Sequence, residues 1–173
     1  VNTIVSLADD QDQIIQGIDR AVDGHDIVFI TGGLGPTKDD ITKSSIAKYL
    51  GVDMYFDEGT LERIKKIFEK MGRELSPLYH DQCLMPVGAE LLHNSMGTAP
   101  GMLFRHQGKL IISMPGVPYE MKAIMTEVVI PMLKQNTQLP SIDHYTILTA
   151  CTGETTIESS IGDIIAEMPP SIK

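Results

Sequence analysis

The sequence has no long apolar run, few aromatic residues and only two cysteines in 173 residues. No stretch approaches the roughly 20 apolar residues needed to cross a bilayer, and the first residues show no signal-peptide pattern. Cys83 and Cys151 stand far apart and in no metal-ligand spacing, which favours free thiols in a reducing compartment over a disulfide-built module. We therefore predict a cytoplasmic protein with no membrane partner.

Acidic residues outnumber basic ones by 23 to 14, which gives a formal net charge of −9. A protein that binds duplex nucleic acid needs a basic surface to displace counterions, so this balance argues against nucleic acid as a partner. An acidic chain that binds phosphate must supply positive potential locally, from helix N-termini, a few Lys or Arg side chains, or a bound cation. Length and apolar content predict a globular protein with one ordinary domain, or with one domain plus a fragment of another.

Apolar periodicity predicts strands and helices in alternation along the chain. Strands are predicted at residues 1–7, 27–30, 90–93, 102–104, 109–113 and 145–150, with a hairpin turn at residues 106–108. Helices are predicted after Asp9 and Asp10, at residues 41–50, 58–71 and 118–134, and after residue 155. This order predicts an α/β fold with a mainly parallel sheet and helices on both faces. A change of texture after Pro140 predicts a domain boundary near residues 138–141.

The strongest motif lies directly after the second predicted strand, where residues 31–40 read Thr-Gly-Gly-Leu-Gly-Pro-Thr-Lys-Asp-Asp. Glycines let the backbone approach a ligand closely, and the next helix offers free N–H groups and a positive dipole end. The motif is neither a Walker A loop nor a dinucleotide-binding G-x-G-x-x-G. Asp39 and Asp40 beside a phosphate site suit a cation of the Mg²⁺ type. The alternative is a tight turn in which one of these aspartates caps the next helix.

Two further loops are marked by glycine and proline. Residues 115–120 read Pro-Gly-Val-Pro-Tyr-Glu, in which Glu120 is a candidate metal ligand or general base, or else complements the helix dipole. Residues 94–101 read Asn-Ser-Met-Gly-Thr-Ala-Pro-Gly, in which Asn94 and Thr98 would contact a ribose or a base, unless the segment is only a turn. We predict that the three loops converge at one rim of the sheet and form an anion pocket edged by acidic side chains.

Together, in this order and spacing, the three motifs resemble the competence/damage-inducible protein CinA family over nearly the whole chain. More distantly, the first loop is similar to the Gly-Gly-Thr-Gly loop of molybdopterin-binding proteins of molybdenum-cofactor synthesis, with Leu34 where those carry Thr. The resemblance implies a three-layer α/β/α, molybdopterin-binding-like fold for residues 1–138. It implies that residues 139–173 begin a small α+β linking domain.

The resemblance also implies a function, a metal-dependent ADP-ribose pyrophosphatase. Family members often carry a carboxyl-terminal nicotinamide mononucleotide deamidase domain, and that activity is not expected of these residues. The family has a first strand and a Gly-Asp-Glu-Leu-Leu-type turn before the position of Val1. We expect a chain without them to bind or turn over its ligand poorly.

The residues and the resemblance together predict hydrolysis of a nucleoside diphosphate sugar, ADP-ribose, to AMP and ribose 5-phosphate, with a divalent cation of the Mg²⁺ type as cofactor. The predicted catalytic residues are Asp39, Asp40 and Glu120, and the predicted metal ligands are Asp39 and Asp40. The predicted ligand-binding residues are Thr31, Gly32, Gly33, Gly35, Thr37, Asn94, Gly97, Thr98 and Gly116. The alternatives are a non-catalytic molybdopterin or nucleotide-binding module and an assembly domain, and a homo-oligomer is expected.

Overall fold

A computed structural model describes residues 1–136 and 146–169. The chain divides into two compact units, Val1–Gln138 and Leu139–Lys173. The boundary predicted near residues 138–141 lies outside the described residues, and a linking domain in the second unit stays a prediction. Among the described helices, none is both long enough and apolar enough to cross a membrane.

The described elements include all the predicted helices and four of the six predicted strands, and they add three short elements that were not predicted, at residues 54–56, 79–82 and 84–86. The described strands are β1 (Ile27–Thr31), β2 (Met54–Phe56), β3 (Leu84–Pro86), β4 (Glu90–Leu92), β5 (Gly101–His106) and β6 (Lys109–Met114). The helices of the first unit are α1 (Gln11–Gly24), α2 (Thr42–Leu50), α3 (Glu58–Lys70), α4 (Tyr79–Gln82), α5 (Pro118–Ile124) and α6 (Ile130–Asn136). The second unit contains α7 (Glu154–Glu167), which has no buried residue.

Four of the strands form one sheet in the order β1-β6-β5-β4, while β2 and β3 pair separately. β1 runs parallel to β6, whereas β5 is antiparallel to both β6 and β4. The sheet is therefore mixed rather than mainly parallel as predicted. The reason is the predicted hairpin, which is confirmed: Gln107 and Gly108 form a two-residue turn with φ of 51° and 78°. Such a turn joins only antiparallel neighbours.

The central strands are apolar on both sides, and each side has its own core. Met102 and Phe104 of β5 pack in one core with the buried faces of α1 and α2. Leu103 of β5 and Ile112 of β6 belong to the other core, together with the helix that starts at α5. Because successive residues of a strand face opposite sides, a sheet with this pattern needs helices on both faces. The fold is the expected three-layer α/β/α arrangement.

Helices α1 and α2 each follow a pair of aspartates, but only α1 is capped by one of them. Asp10 caps α1 as predicted, since its Oδ1 accepts the backbone N–H of Gln13 at 2.9 Å. The residue before α2 is Ile41, and no side chain caps that helix. The alternative in which Asp39 or Asp40 caps α2 is therefore wrong. The side chains of Asp39 and Asp40 are therefore not used as helix caps.

The long helix predicted at residues 118–134 is confirmed with one irregularity. A π-helical segment, Met125–Val129, joins α5 to α6 just before Pro131. Proline has no N–H, and its ring clashes with the carbonyl four residues earlier, here that of Glu127, in a regular α-helix. We attribute the wider turn to this residue.

Two predicted strands do not form. Residues 1–7 are exposed and contain no strand, and the same is true of residues 146–150, while Tyr145 lies outside the described residues. A strand needs a neighbour to satisfy its backbone N–H and C=O groups. No described strand pairs with either segment. The alternating pattern of these segments was therefore not sufficient.

Candidate active site

The loop after β1 is built around two glycines with left-handed backbone. Gly32 has φ of 98° and Gly33 has φ of 66°, a region that favours glycine. The N–H of Gly32 donates to the carbonyl of Met114 at 3.0 Å, which ties the loop to the end of β6. A Cβ on Gly33 would lie 2.1 Å from Thr42 Oγ1, so no larger residue fits there. Among the described residues, the N–H groups of Gly33 and Leu34 find no protein acceptor.

The loop after β6 touches the first one directly. A Cβ on Gly116 would lie 3.2 Å from the Cα of Gly32, so the two backbones are in close contact. β1 and β6 are parallel neighbours, and their carboxyl ends therefore reach the same edge of the sheet. Val117 then precedes α5, whose first residue is Pro118, at a position where a missing N–H has no cost.

The loop after β4 reaches the same edge in spite of the antiparallel hairpin. β4 is antiparallel to β5, and β5 is antiparallel to β6, so β4 runs in the same direction as β6 and β1. Its carboxyl end, followed by residues 93–100, lies beside the other two loops. All three predicted loops are thus brought to one rim of the sheet.

Asn94 connects the third loop to Glu120 on α5. Its Nδ2 donates to Glu120 Oε2 at 2.7 Å and to the carbonyl of Ala99 at 2.7 Å. Its Oδ1 accepts the N–H of Met96 at 3.0 Å, so every polar atom of this buried side chain is used. A Cβ on Gly97 would lie 2.3 Å from the Glu120 carboxyl carbon. Asn94 and Gly97 therefore hold and accommodate Glu120.

A cleft of about 350 Å³ lies between the three loops. Its walls are formed by Gly32, Gly33, Leu34, Gly35, Pro36, Asp40, Gln82, Thr98, Ala99, Pro115, Gly116, Val117 and Glu120. This is the size of an ordinary small-molecule site. Seven predicted site residues line it, namely Gly32, Gly33, Gly35, Asp40, Thr98, Gly116 and Glu120.

Five predicted site residues lie outside the cleft wall. Thr31, Thr37 and Asp39 are exposed, and the Asp39 carboxylate has no hydrogen bond to a described residue. Asn94 and Gly97 do not line the cleft but lie against Glu120, which does. Among the described residues, no three His, Cys, Asp or Glu side chains form a cluster that could hold a metal ion.

The two neighbouring aspartates have different surroundings. Asp40 Oδ2 accepts the N–H of Thr37 at 2.9 Å and its hydroxyl at 2.5 Å. Burial raises the pKa of Asp40, but these bonds, a further one from the backbone of Gly35 and the charge of Lys43 together lower it below the ordinary value. Asp40 therefore stays ionised at neutral pH while it lines the cleft.

Comparison with known proteins agrees with this architecture. The family model described as "Probable molybdopterin binding domain" matches residues 1–135. A CinA-like protein from Cytophaga hutchinsonii is 41% identical over 95% of this chain and 40% of its own length. The crystal structure of the protein CinA from Thermoplasma acidophilum is 38% identical over 72% of each chain, with a TM-score of 0.64.

The chain belongs to the CinA family. A second CinA-like protein, from Flavobacterium psychrophilum, is 38% identical over 100% of this chain and 42% of its own length. The chain thus spans about 40% of the length of the curated relatives that it matches. The CinA family and its molybdopterin-binding domain are shown by these matches, and the resemblance stated from the three motifs is confirmed.

Three residues that support the cleft of this CinA-family chain were not predicted. The first is Lys43, which is buried in α2 and donates from Nζ to the carbonyls of Asp81 and Gln82 at 3.0 and 3.1 Å. A signal for it was present, because Lys43 stands three and four residues before buried Ile46 and Ala47 and so shares their face of the helix.

The second is Arg63, a half-buried residue of α3. Its Nη1 donates to the carbonyls of Asn94 and Gly97 at 3.1 and 2.9 Å, and its Nη2 donates to that of Thr98. Arg63 also lines a separate hollow of about 210 Å³, but that hollow contains none of the glycines of the three loops. No local pattern in this charged helix singles Arg63 out.

The third is Gln82, at the end of the short helix α4. It lines the cleft with only 2% of its surface exposed, and its Nε2 donates to Thr98 Oγ1 at 3.1 Å. Nothing in the surrounding sequence marks a site residue at this position.

Proposed function

We propose that this chain binds a nucleoside diphosphate sugar in the cleft and hydrolyses the diphosphate with the help of a divalent cation. The proposed substrate is ADP-ribose, and the products would be AMP and ribose 5-phosphate. One observation supports this most: Gly33 and Leu34, whose N–H groups have no acceptor among the described residues, line the same cleft as Asp40 and Glu120. Backbone N–H groups suit phosphate oxygens, while carboxylates suit a cation and a water molecule.

The donor set fits a hard cation of the Mg²⁺ type. Such ions take one or two protein carboxylates and complete their shell with water and phosphate oxygens. Asp40 is kept ionised and lines the cleft together with Glu120, whereas Asp39 is exposed outside it. We therefore propose Asp40 as the carboxylate ligand of the cation, in place of the pair Asp39 and Asp40, and Glu120 as the general base. Such an ion would neutralise charge on the diphosphate and lower the pKa of a water molecule.

Groups of the chain itself would bind the phosphates and accept the proton. The N–H groups of Gly33 and Leu34 would hold diphosphate oxygens against the positive end of α2. Glu120, oriented by Asn94, would accept a proton from the attacking water as its oxygen bonds to phosphorus. The P–O bond to the other phosphate then breaks, and that phosphate leaves with the electron pair. A positioned general base contributes about 10²- to 10⁴-fold to the rate.

A second candidate function is binding of a pterin or nucleotide without turnover. The observation in its favour is that Asp40 already accepts two hydrogen bonds from Thr37, so its carboxylate has a role in shaping the loop. In that case the glycine loop alone would bind the ligand. Catalysis would then be absent from this unit.

Release of AMP from ADP-ribose in the presence of Mg²⁺ or Mn²⁺ tests the proposal. Asp40→Asn and Glu120→Gln should each lower the rate by about 10² or more. Asp39→Asn is the matched control, because it changes a neighbouring carboxylate outside the cleft, and it should keep most of the activity. Calorimetric titration with ADP-ribose shows whether each variant still binds.

Two results would contradict the proposal. If the unchanged protein binds ADP-ribose but releases no AMP with any divalent cation, the second candidate function holds. If Asp39→Asn lowers the rate as much as Asp40→Asn, the assignment of the cation ligand to the cleft wall is wrong.

A further inference from the structure

Two buried side-chain atoms have no hydrogen-bond partner among the described residues, Gln82 Oε1 and Ser113 Oγ. Ser113 lies within β6 and does not line the cleft. Gln82 does line it, although only 2% of its surface is exposed. A buried amide oxygen without a donor is unfavourable, so such an atom on a residue that lines a cleft points to a missing partner.

The rest of Gln82 is held firmly. Its Nε2 donates to Thr98 Oγ1 at 3.1 Å, and its backbone carbonyl accepts from Lys43 Nζ at 3.1 Å. Thr98 is itself fixed, because its carbonyl accepts from Arg63. Gln82 is therefore a firmly held residue of the cleft wall.

The chemistry of this oxygen limits what can satisfy it. An amide oxygen only accepts, so its partner must carry an N–H or O–H group. The oxygens of an ionised diphosphate also only accept, and they cannot be this partner. The hydroxyl groups of a sugar and the exocyclic amine of a base can both donate.

We propose that Gln82 determines specificity by accepting a hydrogen bond from a neutral donor on the sugar or base, so that the cleft prefers nucleotides to simple diphosphates. This inference rests on the proposed function, because it needs a ligand in the same cleft. Gln82 contacts the part of the ligand that does not react, while the glycine loop contacts the phosphates.

Calorimetric titration of the full chain with two non-hydrolysable probes tests this. One probe is ADP-ribose with a methylene bridge between its phosphorus atoms, and the other is methylenediphosphonate, which carries no sugar or base. Gln82→Met, of similar shape, should raise the dissociation constant of the first probe by about tenfold or more and leave that of the second within about twofold. Gln16→Met, an exposed glutamine of α1, is the control and should change neither.

The outcomes separate the inference from the proposed function. Equal weakening of both probes, or no change in either, would overturn the role of Gln82 while leaving hydrolysis of ADP-ribose intact. If the unchanged protein binds neither of the two probes, both the role of Gln82 and the proposed function are wrong.

A second variant guards against loss of folding in Gln82→Met. Gln82→Glu keeps an acceptor of the same size, and its added charge should weaken both probes while the preference for the nucleotide remains. Loss of that preference would overturn the inference.

The inosine form of the first probe distinguishes the two donors. The inosine form lacks the exocyclic amine of the base. If the unchanged protein binds the inosine form more weakly than the adenosine form, and Gln82→Met does not weaken binding of the inosine form any further, the contact is made by the base. Unchanged binding of the inosine form to the unchanged protein, with a loss in Gln82→Met, assigns it to a sugar hydroxyl.

Discussion

Raising the pH from 7 to 9 should make the fold more stable, because the ammonium group of Lys43 is buried. Burial lowers the pKa of Lys43 from 10.5 to about 8, although the nearby groups Cys83, Asp40 and Asp81 act to raise it. In the unfolded chain the pKa returns to its ordinary value. Between the two values the unfolded chain binds more protons than the folded one, so the free energy of unfolding rises with pH.

The size of this effect follows from the two pKa values. The contribution of Lys43 to this rise is almost nothing at pH 7 and on the order of 1 kcal/mol at pH 9, which is the expected gain in the free energy of unfolding. With a urea m-value of about 2 kcal/mol/M, the unfolding midpoint should rise by roughly half a molar unit. Burial also raises the pKa of Cys83, which acts in the opposite direction near pH 9 because the unfolded thiol ionises first.

Urea unfolding followed by circular dichroism at both pH values, under reducing conditions, measures this change. Comparison with Lys43→Met is made with Cys83→Ala in both proteins, because the charge of Lys43 lowers the pKa of that thiol. The midpoint of the protein that carries Lys43→Met should rise by roughly half a molar unit less than that of the protein that keeps Lys43. Lys66→Met, which changes an exposed lysine of α3, should behave like the unchanged protein. An identical response in Lys43→Met would refute the reasoning.

Two substitutions should affect the positioning of the third loop. Gly97→Ala should lower the free energy of unfolding by about 1–3 kcal/mol and displace Glu120, because the new Cβ would lie 2.3 Å from its carboxyl carbon. Thermal unfolding and the AMP assay measure both effects, with Gly59→Ala as a control whose Cβ meets only ordinary contacts; normal activity in Gly97→Ala would contradict the close packing. Arg63→Lys should lower stability by about 2 kcal/mol, because a single ammonium cannot replace a guanidinium that donates to three carbonyls. An unchanged unfolding temperature would show that this contact contributes nothing.

The sequence predicted those parts of the fold whose cause is local. Asp10 was identified as a cap because its side chain bonds a backbone N–H three residues away. The hairpin at Gln107 and Gly108 was identified because few residues adopt the required turn. Residues 1–7 and 146–150 were predicted as strands from the same kind of local pattern, and wrongly, because a strand depends on a partner that a local pattern does not contain.

The candidate site was predicted in outline and missed in detail. Glycines marked each of the three loops, and the general rule on the carboxyl ends of strands brought them together. The sequence could not predict that Asp40 lines the cleft while Asp39 lies outside it, since this difference depends on how the backbone turns at Thr37. No sequence pattern marked Gln82, because what distinguishes it is a buried side-chain oxygen without a hydrogen-bond partner among the described residues.

By itself, the sequence determined where the chain turns, where most helices and strands form, and which residues are apolar enough to build two cores. These properties depend on interactions between residues a few positions apart. Only the tertiary structure decided which polar groups meet, such as Asn94 with Glu120, 26 residues apart, and Lys43 with Gln82, 39 residues apart. Those contacts depend on the order and direction of the strands, and many different orders are compatible with the same local patterns.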